Sequence, residues 1–164
     1  MLKRVSKSSA KTSGATFAIV ASKYNGRYVD AMLKAAQREL KKAGAKVRVV
    51  RVPGAFEIPA VAAALAAGGS DAGSRITHHA SRPAAILCLG VIFQGQTSHA
   101  QHIGWGVTHA LAQIQVQQRI PVIHGVFVFE QEEHAKVRCL GRTHNRGTEA
   151  AHTALEMARV MRGV

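Results

Sequence analysis

Residues 90–99 combine side chains that could bind an anion and move a proton. This segment follows the apolar run 84–89 and holds two glycines, two hydroxyl side chains and a histidine. A continuously apolar run is typical of a strand that is covered on both faces of a parallel sheet, and Ser98 can begin a helix. Free backbone N–H groups and the helix dipole attract phosphate at such a helix start. The segment therefore predicts an anion site with a base, His99, beside it.

The spacing of Gly90 and Gly95 is similar to that of a P-loop, which cradles nucleotide phosphates. That motif has a lysine after its second glycine to reach the outer phosphates, and this chain has Gln96 there. A nucleoside triphosphatase is therefore disfavoured, and a small phosphorylated metabolite fits better.

Polar and aromatic residues also follow the first two predicted strands. Ser22-Lys23-Tyr24-Asn25 comes after the first strand, and Pro53-Gly54-Ala55-Phe56-Glu57 comes after the second. Because open parallel sheets bind ligands at the carboxyl ends of their strands, these residues and segment 90–99 are expected to converge. Tyr24 and Phe56 could flank a flat ring, and Glu57 could accept hydrogen bonds from hydroxyl or ring N–H groups. Core packing would explain one isolated aromatic residue, but three converging loops favour a binding site.

Length and composition predict a single globular domain. The chain has 164 residues, 47% hydrophobic and 19% charged, which is enough to bury a normal core. We expect a disordered basic tail over residues 1–14 and one domain over residues 15–164. There is no membrane-span-length apolar run, and no signal-peptide core follows Met1. Cys88 lies in a predicted strand and Cys139 in a polar segment, without a CxxC pair, which favours a reducing, cytoplasmic location.

The net charge of +13 is not confined to the tail. Without the four basic residues of the tail, 18 Lys and Arg face 9 Asp and Glu, which leaves +9. A basic body could attract nucleic acid or concentrate an anionic substrate. Aromatic residues make up only 5% and show no RNP-like or zinc-finger spacing, so a solvated basic surface is the preferred interpretation.

Strand-like runs alternate with helical patterns, which predicts a parallel α/β sheet. We expect a three-layer α/β/α sandwich around a four-stranded parallel sheet, of the flavodoxin-like kind. The strands are predicted at residues 16–21, 45–52, 84–89 and 120–129. The helices are predicted at residues 29–42, 56–67, 98–118, 132–138 and 147–161, with a surface loop over 68–83. The inward positions of the first and last helices are Met32, Leu33, Ala36, Leu40, Ala151, Leu155 and Ala158.

Three motifs resemble those of the lumazine synthase family. They are Val52-Pro53-Gly54-Ala55-Phe56-Glu57-Ile58-Pro59, Gly95-x-Thr97-x-His99 and Asn145-x-Gly147-x-Glu149-Ala150-Ala151, in the family's order. The resemblance covers residues 17–161 and implies a transferase of riboflavin biosynthesis. It would condense 5-amino-6-ribitylaminouracil with 3,4-dihydroxy-2-butanone 4-phosphate to 6,7-dimethyl-8-ribityllumazine, releasing phosphate and water. No metal or organic cofactor is expected.

The resemblance also implies roles for individual residues. Those expected at the pyrimidine ring and ribityl chain are Tyr24, Ala55, Phe56, Glu57, Ile92 and Phe93, and those expected at the phosphate are Gly95, Gln96, Thr97 and Arg138. His99 matches the family's proton-transfer histidine, and Arg138 its phosphate-binding arginine. Imidazole suits proton transfer near neutral pH, and a guanidinium can grip phosphate with two parallel hydrogen bonds.

Some positions depart from the family pattern. His124 stands where phenylalanine is common, at a position that in the family reaches into the neighbouring subunit's site. Further departures are Gln94 for a frequent arginine, Arg146 for a frequent lysine, and Cys139-Leu140 for the usual Ala-Gly pair. The loop 68–83 is also longer than usual. Because the residues matched to catalysis are kept, these changes bear on affinity or assembly rather than reaction type.

The resemblance implies pentamers, or multiples of pentamers, with riboflavin synthase as a candidate partner and no membrane or specific nucleic-acid partner. A metal site is the first alternative, built on His99-x2-His102 and on His78-His79, but no local cysteine or carboxylate completes a zinc set. A catalytically silent binder of flavin-like ligands and a basic nucleic-acid-binding domain are the other two.

Overall fold

The computed structural model describes Thr12 and residues 14–68, 82–141 and 143–164. Its strands are β1 (Thr16–Ser22), β2 (Lys46–Val52), β3 (Ala85–Phe93) and β4 (Val122–Phe129). They form one sheet in the order β2-β1-β3-β4, and each neighbouring pair is parallel. The helices are α1 (Gly26–Lys42), α2 (Ile58–Ala67), α3 (His99–Gln118), α4 (Glu132–Ala135) and α5 (Arg146–Val160). A π-helical turn, Lys136–Leu140, directly follows α4.

Helices cover both faces of the sheet, as predicted for a three-layer sandwich. Successive side chains of a strand point to opposite faces, so Phe17 and Ile19 pack under α1 and α5, while Ala18 and Val20 pack under α2 and α3. The central strand β3 is buried from Ala85 to Val91, which explains its continuous apolar sequence. All seven inward positions predicted for α1 and α5 are buried. The fold class is thus confirmed.

The first helix begins earlier than the sequence predicts. It starts at Gly26 instead of residue 29, because Tyr28 is buried against Phe93 and fixes the first turn by tertiary packing. It ends at Lys42, and Gly44 follows with a φ of +80°, a left-handed conformation that glycine adopts freely. The predicted stop at Gly44 is confirmed.

The third strand is longer than predicted, and the assignment of Gly90 to a turn is wrong. Residues 90–93 continue β3 and pair with β4, with Gly90 opposite Val126. A Cβ at Gly90 would lie 3.3 Å from both Ile58 Cδ1 and Val126 Cγ1, so the glycine admits close packing on the α2 side of the sheet. The P-loop-like spacing therefore joins a strand glycine to a turn glycine. The turn itself spans residues 94–98, and we call it the anion turn.

Two further predictions are corrected near the other elements. The short helix predicted over residues 132–138 ends at Ala135 and gives way to the π-helical turn. Cys139 on that turn is fully buried with α1 and α5, instead of lying in a polar surface segment, and burial raises the pKa of its thiol to about 11. Cys88 is likewise buried and free. The remaining helix and strand ends differ from prediction by one or two residues.

Parts of the sequence-based prediction lie outside the described residues. These are almost all of the basic tail and residues 69–81 of the predicted surface loop. None of the helices in the described ranges is long and apolar enough to cross a membrane.

Candidate active site

A cleft of about 930 Å³ opens at the carboxyl ends of β1, β2 and β3. The strand order β2-β1-β3-β4 reverses direction between β1 and β3, and open α/β sheets bind ligands in the crevice at such a point. Most of the predicted site residues line this cleft, namely Tyr24, Ala55, Phe56, Glu57, Ile92, Phe93, Gly95, Thr97 and His99. Gln96, His124 and Arg138 are not among its lining residues.

The loop after β1 is tied to both neighbouring strands. Lys23 N donates to Val52 O at 2.8 Å, and Tyr24 N donates to Pro53 O at 3.0 Å. On the other side, Asn25 Nδ2 donates to Val91 O at 2.8 Å. Asn25 has a φ of 53°, in the left-handed region that asparagine tolerates better than most residues. The Tyr24 ring is held at the rim of the cleft with 73% of the residue exposed, so its face is free for a planar ligand.

The turn between β2 and α2 is shaped by Glu57. Its Oε2 accepts the backbone N–H of Gly54 at 2.8 Å. A Cβ at Gly54 would lie only 2.8 Å from that same oxygen, so glycine makes room for the carboxylate. Phe56 is 63% exposed, and its ring reaches towards α3, where a Cβ at Gly106 would lie 3.6 Å from it. The motif thus presents an aromatic face and a carboxylate together.

The end of β3 forms the part of the cleft between these two loops. Phe93 packs edge-on against Tyr28, with ring centroids 5.5 Å apart, and lies 6.4 Å from the Phe129 ring. Ile92 packs with the core on the opposite face of the sheet. Because both side chains are anchored by packing, the backbone of residues 91–93 is a fixed edge of the cleft.

The anion turn connects this edge to α3. Gln94 N donates to Phe129 O at 2.9 Å, and Gln94 Nε2 donates to Gly95 O at 3.0 Å and to Thr97 O at 2.6 Å. Ser98 precedes α3, and His99 is the first residue of the helix, where the N–H groups and the dipole favour an anion. His99 N lies 3.4 Å from Thr97 Oγ1. A hydroxyl, a helix N-terminus and an imidazole therefore meet at one end of the cleft.

Sequence reasoning missed three lining residues: Asn25, His102 and Ile103. His102 follows His99 by three positions, and residues at this spacing share a helix face. That spacing was a usable signal, although the histidine pair was considered only for metal binding. In the described ranges, no group of three or more His, Cys, Asp or Glu side chains could hold a metal ion. His78 and His79, from the same alternative, lie outside those ranges.

Arg138 lies on the exposed side of the π-helical turn. Two buried contacts hold this region: Tyr28 donates to Glu132 at the start of α4, and Asn145 Nδ2 donates to Cys139 O. Asn145 Oδ1 in turn accepts the N–H of Gly147 at 2.9 Å, which caps α5. A Cβ at Gly147 would overlap the carbonyl of α1 beneath it. The Asn145-x-Gly147 motif thus joins the π-helical turn to α5.

His124 lies on β4 beside α3, next to a small pocket of about 210 Å³. Its Nε2 is 2.9 Å from Thr108 Oγ1, and that hydroxyl donates to Gly104 O at 2.7 Å. Because Thr108 has only one hydroxyl proton, Nε2 is the donor to its oxygen, which leaves Nδ1 as the acceptor of the neutral ring. Desolvation beside α3 lowers the pKa of His124.

Comparison with known proteins agrees with this geometry. The family model described as 6,7-dimethyl-8-ribityllumazine synthase matches residues 14–162. A synthase of that name from Stenotrophomonas maltophilia (strain R551-3) is 38% identical over 150 residues, covering 90% of this chain and 89% of the relative. Another, from Xylella fastidiosa (strain 9a5c), is 37% identical over 154 residues, covering 92% of each chain. The resemblance predicted from the three motifs is thereby confirmed, and the chain belongs to the 6,7-dimethyl-8-ribityllumazine synthase family.

Proposed function

We propose that this chain makes 6,7-dimethyl-8-ribityllumazine from 5-amino-6-ribitylaminouracil and 3,4-dihydroxy-2-butanone 4-phosphate, in the pathway to riboflavin. The observation that carries the proposal is the convergence of Phe56, Glu57, the anion turn and His99 on one cleft. The family match over residues 14–162 supports the same reaction. A cytoplasmic location, predicted from the sequence, is part of the proposal.

In this proposal the pyrimidine and its ribityl chain occupy the aromatic part of the cleft. The exposed faces of Tyr24 and Phe56 are available for stacking, which favours offset or edge-to-face contact with a flat ring. The carboxylate of Glu57 is an acceptor for the ribityl hydroxyl groups. The fixed backbone of Ile92 and Phe93 offers peptide groups along the ring edge.

The phosphate of the second substrate occupies the anion turn. Backbone N–H groups at the start of α3 and the Thr97 hydroxyl are suitable donors for its oxygens. His99 lies beside them, where it can take and return protons. The pyrimidine's amine adds to the ketone and water leaves to give an imine; phosphate is then eliminated, and the ribityl-bearing nitrogen closes the ring with loss of a second water. Each step needs a proton removed or supplied, as a positioned imidazole can do.

Arg138 and His124 are proposed to complete the cleft of a neighbouring subunit in a pentamer. Both are exposed, and neither lines the cleft of its own chain. The proposal explains how the two residues could serve a site from which their own chain keeps them apart. A mass for the active protein at or above that of a pentamer supports it, whereas a fully active monomer would exclude it.

Mixed assembly of two variants tests the shared site. His99→Ala subunits keep Arg138, and Arg138→Ala subunits keep His99, so a site between unlike neighbours can be intact. Random equal mixing should make about a quarter of the sites intact, since each cyclic interface draws its two sides independently. Co-refolded protein should therefore regain roughly a quarter of wild-type activity. Activity equal to the mean of the two separate variants would contradict sharing.

An activity assay separates the proposed function from its alternatives. The purified chain is incubated with both precursors while lumazine absorbance and free phosphate are recorded. Formation of both products above the uncatalysed rate supports the proposal. Tight binding of the ribityl substrate without turnover would favour the silent binder instead. Strongly salt-dependent binding of RNA or DNA without turnover would favour the nucleic-acid alternative.

A further inference from the structure

We infer that Gln94 is a positioning residue for phosphate: its side-chain amide holds the anion turn so that backbone N–H groups face the cleft. The inference deepens the proposed function, on which it rests for the identity of the anion. The contacts that carry it belong to this chain alone.

Gln94 contacts the turn that follows it from both its backbone and its side chain. The backbone N–H is bonded to Phe129 O at 2.9 Å, which anchors the residue to the end of β4. From this anchor, Nε2 donates both of its protons, one to Gly95 O at 3.0 Å and one to Thr97 O at 2.6 Å. The two carbonyls of the turn are thereby drawn to the same group.

The planarity of the peptide bond carries this constraint to the other side of the turn. In a trans peptide the C=O of one residue and the N–H of the next point in opposite directions. Holding Gly95 O and Thr97 O against Gln94 therefore turns the N–H groups of Gln96 and Ser98 away from Gln94. Gly95 and Thr97 line the cleft whereas Gln94 does not, so the side away from Gln94 is the cleft side. These two N–H groups find no acceptor among the described residues, which leaves them free to bind a ligand.

The amide is a poor choice for stability alone. Its second polar atom, Oε1, is buried and has no hydrogen-bond partner in the described part of the chain. A buried acceptor without a partner destabilises the folded state. A side chain of similar length without polar atoms would avoid this cost. We conclude that the two donated bonds, and the orientation they impose, are the contribution of Gln94.

Two substitutions test this role. Gln94→Met keeps the length of the side chain but removes both donors together with the unpartnered acceptor. Gln94→Glu keeps the shape and sets a carboxylate oxygen against the two carbonyls. The KM for each substrate, the inhibition constant of inorganic phosphate and the thermal midpoint are measured for both. Gln37→Met, on the half-buried face of α1, is the matched control for replacing a glutamine by methionine.

Loss of two neutral hydrogen bonds from the turn should weaken phosphate binding roughly 5- to 50-fold in Gln94→Met. The KM for the phosphorylated substrate should rise with it, while the KM for the ribityl substrate and the thermal midpoint stay near the wild-type values. Gln94→Glu should be affected more strongly, because its charge also repels the anion. The Gln37→Met control should match wild type in every measurement.

The inference is overturned if Gln94→Met binds phosphate as wild type does, or if both KM values rise together with a lowered thermal midpoint. Either result can occur while wild-type protein still makes lumazine, so the proposed function would survive it. If wild-type protein made no lumazine, phosphate binding would still decide the matter. Selective loss of inorganic phosphate binding in Gln94→Met would then support the positioning role without the reaction.

Discussion

Asn25 Nδ2 donates to the carbonyl of Val91 at 2.8 Å, and this bond fixes the first loop of the cleft to the end of β3. The same asparagine adopts a left-handed backbone conformation where α1 begins. One residue thus satisfies a turn geometry and a contact between two loops. It also sets the position of Tyr24, its neighbour at the cleft rim.

Asn25→Ala should lower the free energy of unfolding by about 1–3 kcal/mol, because it loses the bond to Val91 and disfavours the left-handed conformation. Asn25→Gly keeps the conformation and loses only the bond, so its cost should be smaller, about 0.5–1.5 kcal/mol. Chemical denaturation of both variants measures the two contributions. Equal stabilities for alanine and glycine would remove the conformational part of this explanation.

His99→Ala should reduce turnover by roughly 100-fold or more, the usual contribution of a positioned acid–base group. Residual activity is expected, because a cleft that orients both substrates still promotes their condensation. Binding of the ribityl substrate should change little, since that part of the cleft is formed by other loops. Steady-state kinetics and equilibrium binding check both statements. Wild-type turnover in this variant would reduce His99 to a helix-start residue.

Arg138→Ala should chiefly impair use of the phosphorylated substrate. Loss of one charge-assisted contact should cost roughly 1.5–3 kcal/mol, or about 10- to 150-fold in kcat/KM for that substrate. Arg138→Lys should recover only part of the loss, because lysine keeps the charge but lacks the planar fork of guanidinium. Kinetics with each substrate varied in turn distinguishes this from a general defect. Equal kinetics for wild type and Arg138→Ala would place the arginine outside the site.

His124→Phe should flatten the pH dependence of substrate binding. Desolvation lowers the pKa of His124, so the ring becomes charged only below the ordinary histidine value of about 6.5. We therefore expect the wild-type dissociation constant for the ribityl substrate to change mainly on the acidic side of that value. The variant should bind with little change over the same range. Superimposable profiles for the two proteins would assign His124 to packing at the subunit boundary.

Glu39 provides a stability test away from the cleft. Burial raises the pKa of its carboxyl, but hydrogen bonds from Lys42, Arg38 and His152 outweigh burial and lower it to about 2. A lowered carboxyl pKa stabilises the fold above the unfolded value of about 4.5, and this stability is lost as the pH falls towards 2. Lys42 and Arg38 are exposed, so screening reduces the contribution to about 1–2 kcal/mol.

Glu39→Gln should therefore be less stable than wild type at pH 7 and should converge with it near pH 2. Glu156→Gln is the matched control, since this carboxylate is paired with Arg159 on the exposed face of α5. The control should lose much less stability at pH 7. Urea denaturation over this pH range compares the three proteins, and a difference that persists at pH 2 would exclude the ionic contribution.

The sheet could be predicted because its evidence is local in the sequence. Continuous apolar runs, helical periodicity and Gly44 each depend on a few neighbouring residues, and all agree with the fold. The end of β3 could not be predicted in this way, because Gly90 has the residue type of a turn and only its pairing with β4 keeps it in a strand. Burial of Cys139 has the same origin, since it depends on α1 and α5 packing over a π-helical turn.

The candidate site was predictable to the extent that parallel strands bring their carboxyl ends together. This rule collected Tyr24, Phe56 and Thr97 from distant parts of the sequence. It could not show the direction of a side chain, so the two bonds of Gln94 Nε2 were visible only in three dimensions. A rule based on one sheet also cannot indicate which residues of a chain serve a neighbouring cleft.

The most direct test of the account is the stoichiometry of product formation by the purified chain. With both precursors in excess, lumazine and phosphate should appear in equal amounts, at a rate proportional to protein concentration. The rate should exceed that of the uncatalysed mixture and should fall in His99→Ala. Phosphate release without lumazine, or a rate that does not depend on the protein, would contradict the proposed function.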